Sequence, residues 1–283
     1  MNTLRQRMTD AMVLRGFSAR TQESYLSAVS GLARHYGKPP DRLIREQLQA
    51  YLLYLIHEKK LAYASVNVAA CGMRFFYGQV LARDTVRLDV PMAKVPKRLP
   101  QILSREQVAK LIDAARTPRG RLLLMTTYAA GLRVSEVCAL QLTDIESAPD
   151  RMCIKVRQGK GGQDRYTLLS PRLLDALRAY WRVCRSPRWL FPNADGDAPI
   201  YDQTAQRIYC AARDAAGIGP EGGIHTLRHC FATHLLEAGV DLATLQRLLG
   251  HHHVSTTMRY LHLAQRHVTG ATSPLELLDL PVR

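Results

Sequence analysis

The stretch "GIHTLRHCFATHLLEAG", residues 223–239, decides how this chain is read. At helical spacing Ile224, Leu227, Phe231, Leu235 and Ala238 form one apolar stripe, so a core-facing helix is predicted over 224–238. His225 and Arg228, three positions apart, stand roughly 60° from each other beside that stripe. Both can therefore reach a common point at the edge of the core. His225 and His229, four apart, could also share a metal ion, but "IHTLRHCFATHLL" supplies no carboxylate as a third ligand.

Two neighbouring stretches extend the pattern. In "AAGLRVSEVCAL" (129–140) Gly131 breaks one helix, and Arg133 and Glu136 fall on one face of the next. In "LLGHHHVSTTMRY" (248–260) His251, His252 and His253 precede Tyr260. Adjacent side chains point in different directions, so three consecutive histidines cannot close around one ion without distortion. Eight of the ten histidines lie after residue 224, yet no metal site is expected.

Between these stretches, "RMCIKVRQ" (151–158) alternates Met152, Ile154 and Val156 with Lys155 and Arg157. "QDRYTLL" (163–169) mirrors it, and "GKGG" (159–162) turns between them, which predicts a β-hairpin carrying Lys160 at its tip. The glycines of "QGKGGQD" lack the spacing of a nucleotide-cradling loop, and no GxSxG or HExxH pattern occurs. Nothing points to ATP, NAD or flavin, and no cofactor is expected.

The chain of 283 residues carries 39 Lys+Arg against 24 Asp+Glu, a net charge of +15. The excess is +9 over residues 1–100 and +6 over 101–283, so both halves suit one polyanionic partner, nucleic acid before membrane. Six scattered cysteines form no CxxC pair and read as thiols of a reducing compartment. The polar opening "MNTLRQRMTD" shows no signal pattern, and "LLLMTTYAAGL" is too short to span a bilayer; a cytoplasmic protein is expected.

The clearest boundary is "VPMAKVPKRLPQ" (90–101), where Pro91, Pro96 and Pro100 alternate with Lys94, Lys97 and Arg98. Proline at that density ends helices and strands, and the charges keep the segment in water. Before it, a helix near 2–14, one after Ser18 closed by Gly37, one in "DRLIREQLQAYLLYLIHEKK", and one after Ser65 predict a small basic four-helix bundle. After it, Ser104 and Gln107 make a capping box, and helices resume at Ser170-Pro171, near 202–216 and at 241–249. The fold class is mainly α with a small β-sheet (α+β). The divisions are 1–89, a basic proline-rich linker 90–101, a larger domain 102–270, and a tail 271–283.

Two arginines, a lysine and histidines gathered near a tyrosine suit a site that grips a phosphodiester and attacks it. Guanidinium forks match the charge spread over a phosphoryl transition state. Tyrosine, with a pKa near 10, needs neighbours to become a nucleophile, and a lysine can protonate the leaving 5′-hydroxyl.

These residues resemble the tyrosine recombinases, the phage-integrase or lambda-integrase family, and most closely its simple Xer-like or transposon-associated members. The resemblance rests on Arg133 in "GLRVSE", hairpin Lys160, His225 and Arg228 in "HTLRH", His251 in "LLGH" and Tyr260 in "STTMRY", together with the helical "SARTQESYLSAVSGLARHY".

It implies that Tyr260 forms a 3′-phosphotyrosyl link, Arg133 and Arg228 bind the non-bridging oxygens, Lys160 is the general acid, and His225 assists proton transfer. His251 would contact the phosphate and Glu136 would position the site. A SAM-like core-binding domain (1–89) and the catalytic domain would clamp double-stranded DNA carrying paired inverted-repeat core sites. Phosphate contacts are expected from Arg20, Lys94, Lys97, Arg98, Arg157 and Arg165. A protein monomeric in solution would form a homotetramer on synapsed DNA and pass through a Holliday junction. The chain would lack the arm-binding domain of larger phage integrases, and the leucines of "SPLELLDLPV" would dock the tail on a neighbouring protomer. His252 and His253 match no catalytic position. A DNA-binding regulator that does not cut and a nicking, topoisomerase-like enzyme are the other readings.

Overall fold

The computed structural model describes residues 2–82, 100–157 and 164–261. The chain divides into two compact units, Met1–Arg98 and Leu99–Arg283.

The first unit is helical: α1 (Asn2–Val13), α2 (Ala19–Tyr36), α3 (Arg45–His57) and α4 (Tyr63–Phe75), the last running into a π-helical turn, Phe76–Val80. Local chemistry sets the ends of α2. The Ser18 side chain accepts the Thr21 N–H, and Gly37 closes the helix at a left-handed φ of 59°. Met8, Met12, Leu32, Leu48, Met73, Phe76 and Tyr77 fill the core. At Gly72 a Cβ would stand 3.1 Å from the Tyr25 Cα, so the missing side chain lets α4 lie directly on α2.

Two boundaries differ from expectation. The third helix begins at Arg45, because Pro40–Arg42 forms a 3₁₀ turn, and Gln47 Oε1 then accepts the Ile44 N–H at 3.1 Å. Ser65 is not the cap of α4: it lies within the first turn, and Ala62 occupies the cap position without a side-chain hydrogen bond.

The second unit contains α5 (Arg105–Asp113), α6 (Pro118–Ala130), α7 (Val134–Cys138), β1 (Ile145–Ala148), β2 (Arg151–Val156), β3 (Arg165–Leu168), α8 (Pro171–Cys184), α9 (Asp202–Ala215), α10 (His225–Glu237), α11 (Leu242–Leu249) and α12 (Val254–Met258). The Ser104–Gln107 capping box is present at α5. The strands form an antiparallel sheet in the order β1-β2-β3, with Ile145 opposite Ile154 and Ile154 opposite Thr167. The hairpin pairing is as read from the alternation, but the edge strand β1 is additional; "IESA" is too short and polar to announce a strand.

α10 passes through the interior. Expected to bury one stripe, it instead buries Thr226, Leu227, Arg228, Cys230, Phe231, Ala232, Thr233, His234 and Leu236, while Ala238 is exposed. His234 on this helix is satisfied internally: Tyr128 Oη meets its Nδ1 at 2.9 Å, and its Nε2 donates to the Leu103 carbonyl at 3.1 Å. Gly131 makes the α6–α10 contact possible. It ends α6 at φ 60°, and a Cβ there would fall 2.3 Å from the Phe231 ring.

Candidate active site

Arg133 is the N-cap of α7, and Glu136 lies one turn on. The Arg133 N–H donates to Glu136 Oε2 at 2.8 Å and its Nη1 to Oε1 at 2.6 Å. From β3, Arg165 places Nη1 and Nη2 on the same carboxylate at 2.8 and 2.7 Å, a bidentate fork. Arg228 of α10 adds a third cation, with Nη1 3.6 Å from Oε2. Burial raises the affinity of Glu136 for a proton, but the hydrogen bond and charge of Arg165, then the Arg133 N–H and Arg228, outweigh it and hold its pKa down at about 2. One buried carboxylate thus gathers three arginines that would otherwise repel one another.

Arg228 is itself held by the backbone. Nη1 donates to the Gly131 carbonyl and Nη2 to that of Leu249, each at 2.6 Å, so the ends of α6 and α11 fix the guanidinium. Burial and then Arg133 lower its pKa to about 9, and it remains charged at neutral pH.

The histidines follow. His251 Nε2 lies 3.2 Å from Arg228 Nη2, which can only donate, so Nε2 accepts. Its Nδ1 then carries the proton and donates to Thr257 Oγ1 at 2.9 Å. Burial, with Arg228 and Arg133, depresses the His251 pKa to about 3 and keeps this ring neutral. His225 opens to solvent at the start of α10, its proton affinity lowered by desolvation against the cluster, then by Arg228 and Arg133.

Tyr260 follows α12 and is only 2 % exposed. Its ring lies parallel to that of His251, with centroids 6.4 Å apart, and its hydroxyl meets His229 Nδ1 at 2.9 Å. Burial raises its pKa, against the opposing pull of Arg228, Arg259 and Arg133. A groove of about 840 Å³ between β3 and α11 opens beside His251, lined also by Arg165, Arg247 and His252.

Of the residues singled out in the sequence, Arg133, Glu136, Arg228, His251 and Tyr260 come together. Lys160, Lys94, Lys97 and Arg98, and the tail 271–283, lie outside the described residues. Arg20 is exposed on α2. Arg165, expected to contact DNA, has its donors engaged within the protein. Its side chain is 9 % exposed, and its donors go to Glu136 and, from Nε at 3.0 Å, to the Leu248 carbonyl. Arg157 is half committed, paired through Nε with Asp144 and through Nη2 with Thr143 Oγ1 at 3.0 Å. His252 and His253 are exposed.

Two partnerships escape sequence reasoning, Arg165 with Glu136 and His229 with Tyr260. The second had a signal: His229 shares the helical face of His225, one turn on, a pair weighed in the sequence as metal ligands and set aside for want of a third.

Residues 101–267 match the Phage integrase family, and residues 4–86 match the Phage integrase, N-terminal SAM-like domain. The putative integrase/recombinase y4qK of Sinorhizobium fredii is 46% identical, across 99% of this chain and 91% of that protein. Tyrosine recombinase XerA of Thermococcus kodakarensis is 37% identical over 81% of this chain and 82% of that protein. The crystal structure of a lambda integrase tetramer bound to a Holliday junction has the same fold, with a TM-score of 0.74 at 21% identity over 92% of this chain and 76% of that one.

Proposed function

The chain belongs to the phage integrase family of tyrosine recombinases, enzymes that cleave and rejoin DNA at specific sites, and from that premise we propose that Tyr260 is its nucleophile. The observation that carries this reading is the placement of the Tyr260 ring against His251 and within the field of Arg228 and Arg133.

In this reading Tyr260 Oη attacks the scissile phosphorus. The Oη–P bond forms as the P–O5′ bond breaks, leaving a 3′-phosphotyrosyl link and a free 5′-hydroxyl. Arg133 and Arg228 neutralise the non-bridging oxygens, preorganised by Glu136 and by the Gly131 and Leu249 carbonyls. Lys160 gives the leaving oxygen its proton, and His225 assists proton transfer by taking up the proton that the Tyr260 phenol loses. His251 contacts the phosphate; its Nε2 is unprotonated in the free protein, so the contact requires that nitrogen to gain a proton once an anion faces it. Attack by a 5′-hydroxyl from a second duplex reverses the chemistry and exchanges strands. The bond energy stays in the phosphotyrosine, so no cofactor, ATP or metal is consumed.

The division at residues 98 and 99 and the family matches to 4–86 and 101–267 support a core-binding domain (1–89), a linker (90–101) and a catalytic domain (102–270) that clamp a duplex. Arg20, Arg157, Lys94, Lys97 and Arg98 would touch its phosphates. A homotetramer on paired inverted-repeat core sites, monomeric before binding and joined by tail docking, completes the reading. Among the described residues no helix is long and apolar enough to cross a membrane, and the proposed compartment is the cytoplasm.

The test is a nicked duplex whose core site this protein has selected from a random-sequence pool. Wild type should trap a covalent adduct on it, and Tyr260→Phe should not. An adduct with Tyr260→Phe would overturn the assignment. Relaxation of supercoiled DNA without recombinants would favour the topoisomerase-like alternative, and binding without any adduct the regulator.

A further inference from the structure

Tyr260 follows a helix of only five residues, so little regular backbone holds its ring. The ring instead packs into a small apolar cluster with Phe231, Ala232, Leu236, Leu245 and Leu249. Those contacts fix the ring but leave the hydroxyl, the atom that reacts, in need of a polar partner. A buried hydroxyl without one costs about 1–3 kcal/mol. His229 meets that need at 2.9 Å, across 31 positions of sequence.

The direction of this bond follows from its surroundings. Among the described residues, no other acceptor takes the phenolic proton. If Nδ1 donated, that proton would be stranded; if Nδ1 accepts, the phenol is satisfied and its oxygen lone pairs are left free. Burial, with His225, Arg259 and Arg228 close by, keeps His229 neutral, which an accepting nitrogen requires. Arg228, next to His229 on α10, enters the arginine cluster, so one helix carries both the phosphate-binding guanidinium and the group that orients the phenol.

We propose that His229 is a positioning residue for Tyr260, its neutral Nδ1 accepting the phenolic hydrogen so that the oxygen is aimed for attack within the arginine cluster. The inference rests on Tyr260 being the nucleophile. His229 acts through Tyr260 and contributes nothing to site recognition.

The full-length protein and the selected nicked duplex provide the test. His229→Ala should lower the single-turnover cleavage rate about tenfold, the value of one hydrogen bond, and leave DNA affinity within about twofold. His229→Asn, whose amide oxygen can occupy the place of Nδ1, should recover most of the loss. In the unmodified protein, nitrogen NMR of the imidazole should show Nδ1 unprotonated and Nε2 protonated. Four results would overturn the inference: cleavage by His229→Ala at the wild-type rate or faster, equal loss in the Ala and Asn variants, parallel loss of affinity and cleavage, or a protonated Nδ1. Should Tyr260→Phe still form adduct, the nucleophile assignment fails first. Should that variant be inactive while His229→Ala cleaves normally, only the role of His229 fails.

Discussion

Glu136 and Arg165, 29 positions apart, are joined by two parallel hydrogen bonds of 2.8 and 2.7 Å, with both side chains more than nine-tenths buried. The pair ties β3 to α7 and supplies the negative charge around which Arg133 and Arg228 can lie together.

Removing the carboxylate should therefore be severe. Glu136→Ala leaves Arg165 and Arg228 as buried, uncompensated cations, and unfolding in urea should show a loss of about 3–5 kcal/mol. Arg165→Lys keeps the charge but loses the fork; its melting temperature should fall while the salt dependence of DNA binding is unchanged. A salt slope reduced by about one would return Arg165 to the DNA surface.

Gly131 is required for both its backbone conformation and its lack of a side chain. Gly131→Ala places a Cβ 2.3 Å from the Phe231 ring at a left-handed φ of 60°, so a loss of more than about 2 kcal/mol is expected by denaturant titration. The Gly131 carbonyl also anchors Arg228, so the surviving folded fraction should cleave more slowly than wild type. Stability within about 0.5 kcal/mol of wild type would contradict the packing described.

Arg133→Ala and Arg228→Ala should lower cleavage by about 10² or more while affinity changes far less, as expected of groups that stabilise transition-state charge. Adduct formation and equilibrium binding on the same duplex separate the two effects. Equal losses in both would make the arginines simple binding contacts. Arg228→Ala should also reduce stability more than Arg133→Ala, because the Arg133 side chain is 21 % exposed against 5 % for Arg228.

Acid should destabilise the fold before it affects most surface charges. The pKa values of His229 and His251 fall from 6.5 to about 4 and about 3 on folding. Near and below pH 6.5 the unfolded chain therefore binds more protons than the folded one. Their contribution is complete above that pH and drains away as pH falls toward 4, at up to about 1.4 kcal/mol per pH unit for each ring. Melting curves from pH 7.5 to 4.5 should show the decline, with a shallower slope for His229→Asn. A flat profile would mean that the rings are not held neutral.

Much of the architecture was legible before any coordinates. The ends of α2 and the start of α5 depend on residues no more than four positions apart, Ser18 with Thr21 and Ser104 with Gln107, and such signals survive in a linear string. The β2–β3 hairpin was legible for the same reason. Where a helix lacked a side-chain cap, as at Ala62, the nearest serine misled.

The sequence by itself determined the helical class and the hairpin, whose signals are local, and its resemblance to the tyrosine recombinases singled out Arg133, Glu136, Arg228, His251 and Tyr260. Only the tertiary structure decided that Arg165 turns inward to Glu136, that α10 is buried on nearly all sides, and that His229 meets the Tyr260 hydroxyl. Those outcomes join residues about thirty positions apart. They follow from how β3, α7, α10 and the turn after α12 pack, and from the need of every buried donor and acceptor for a partner.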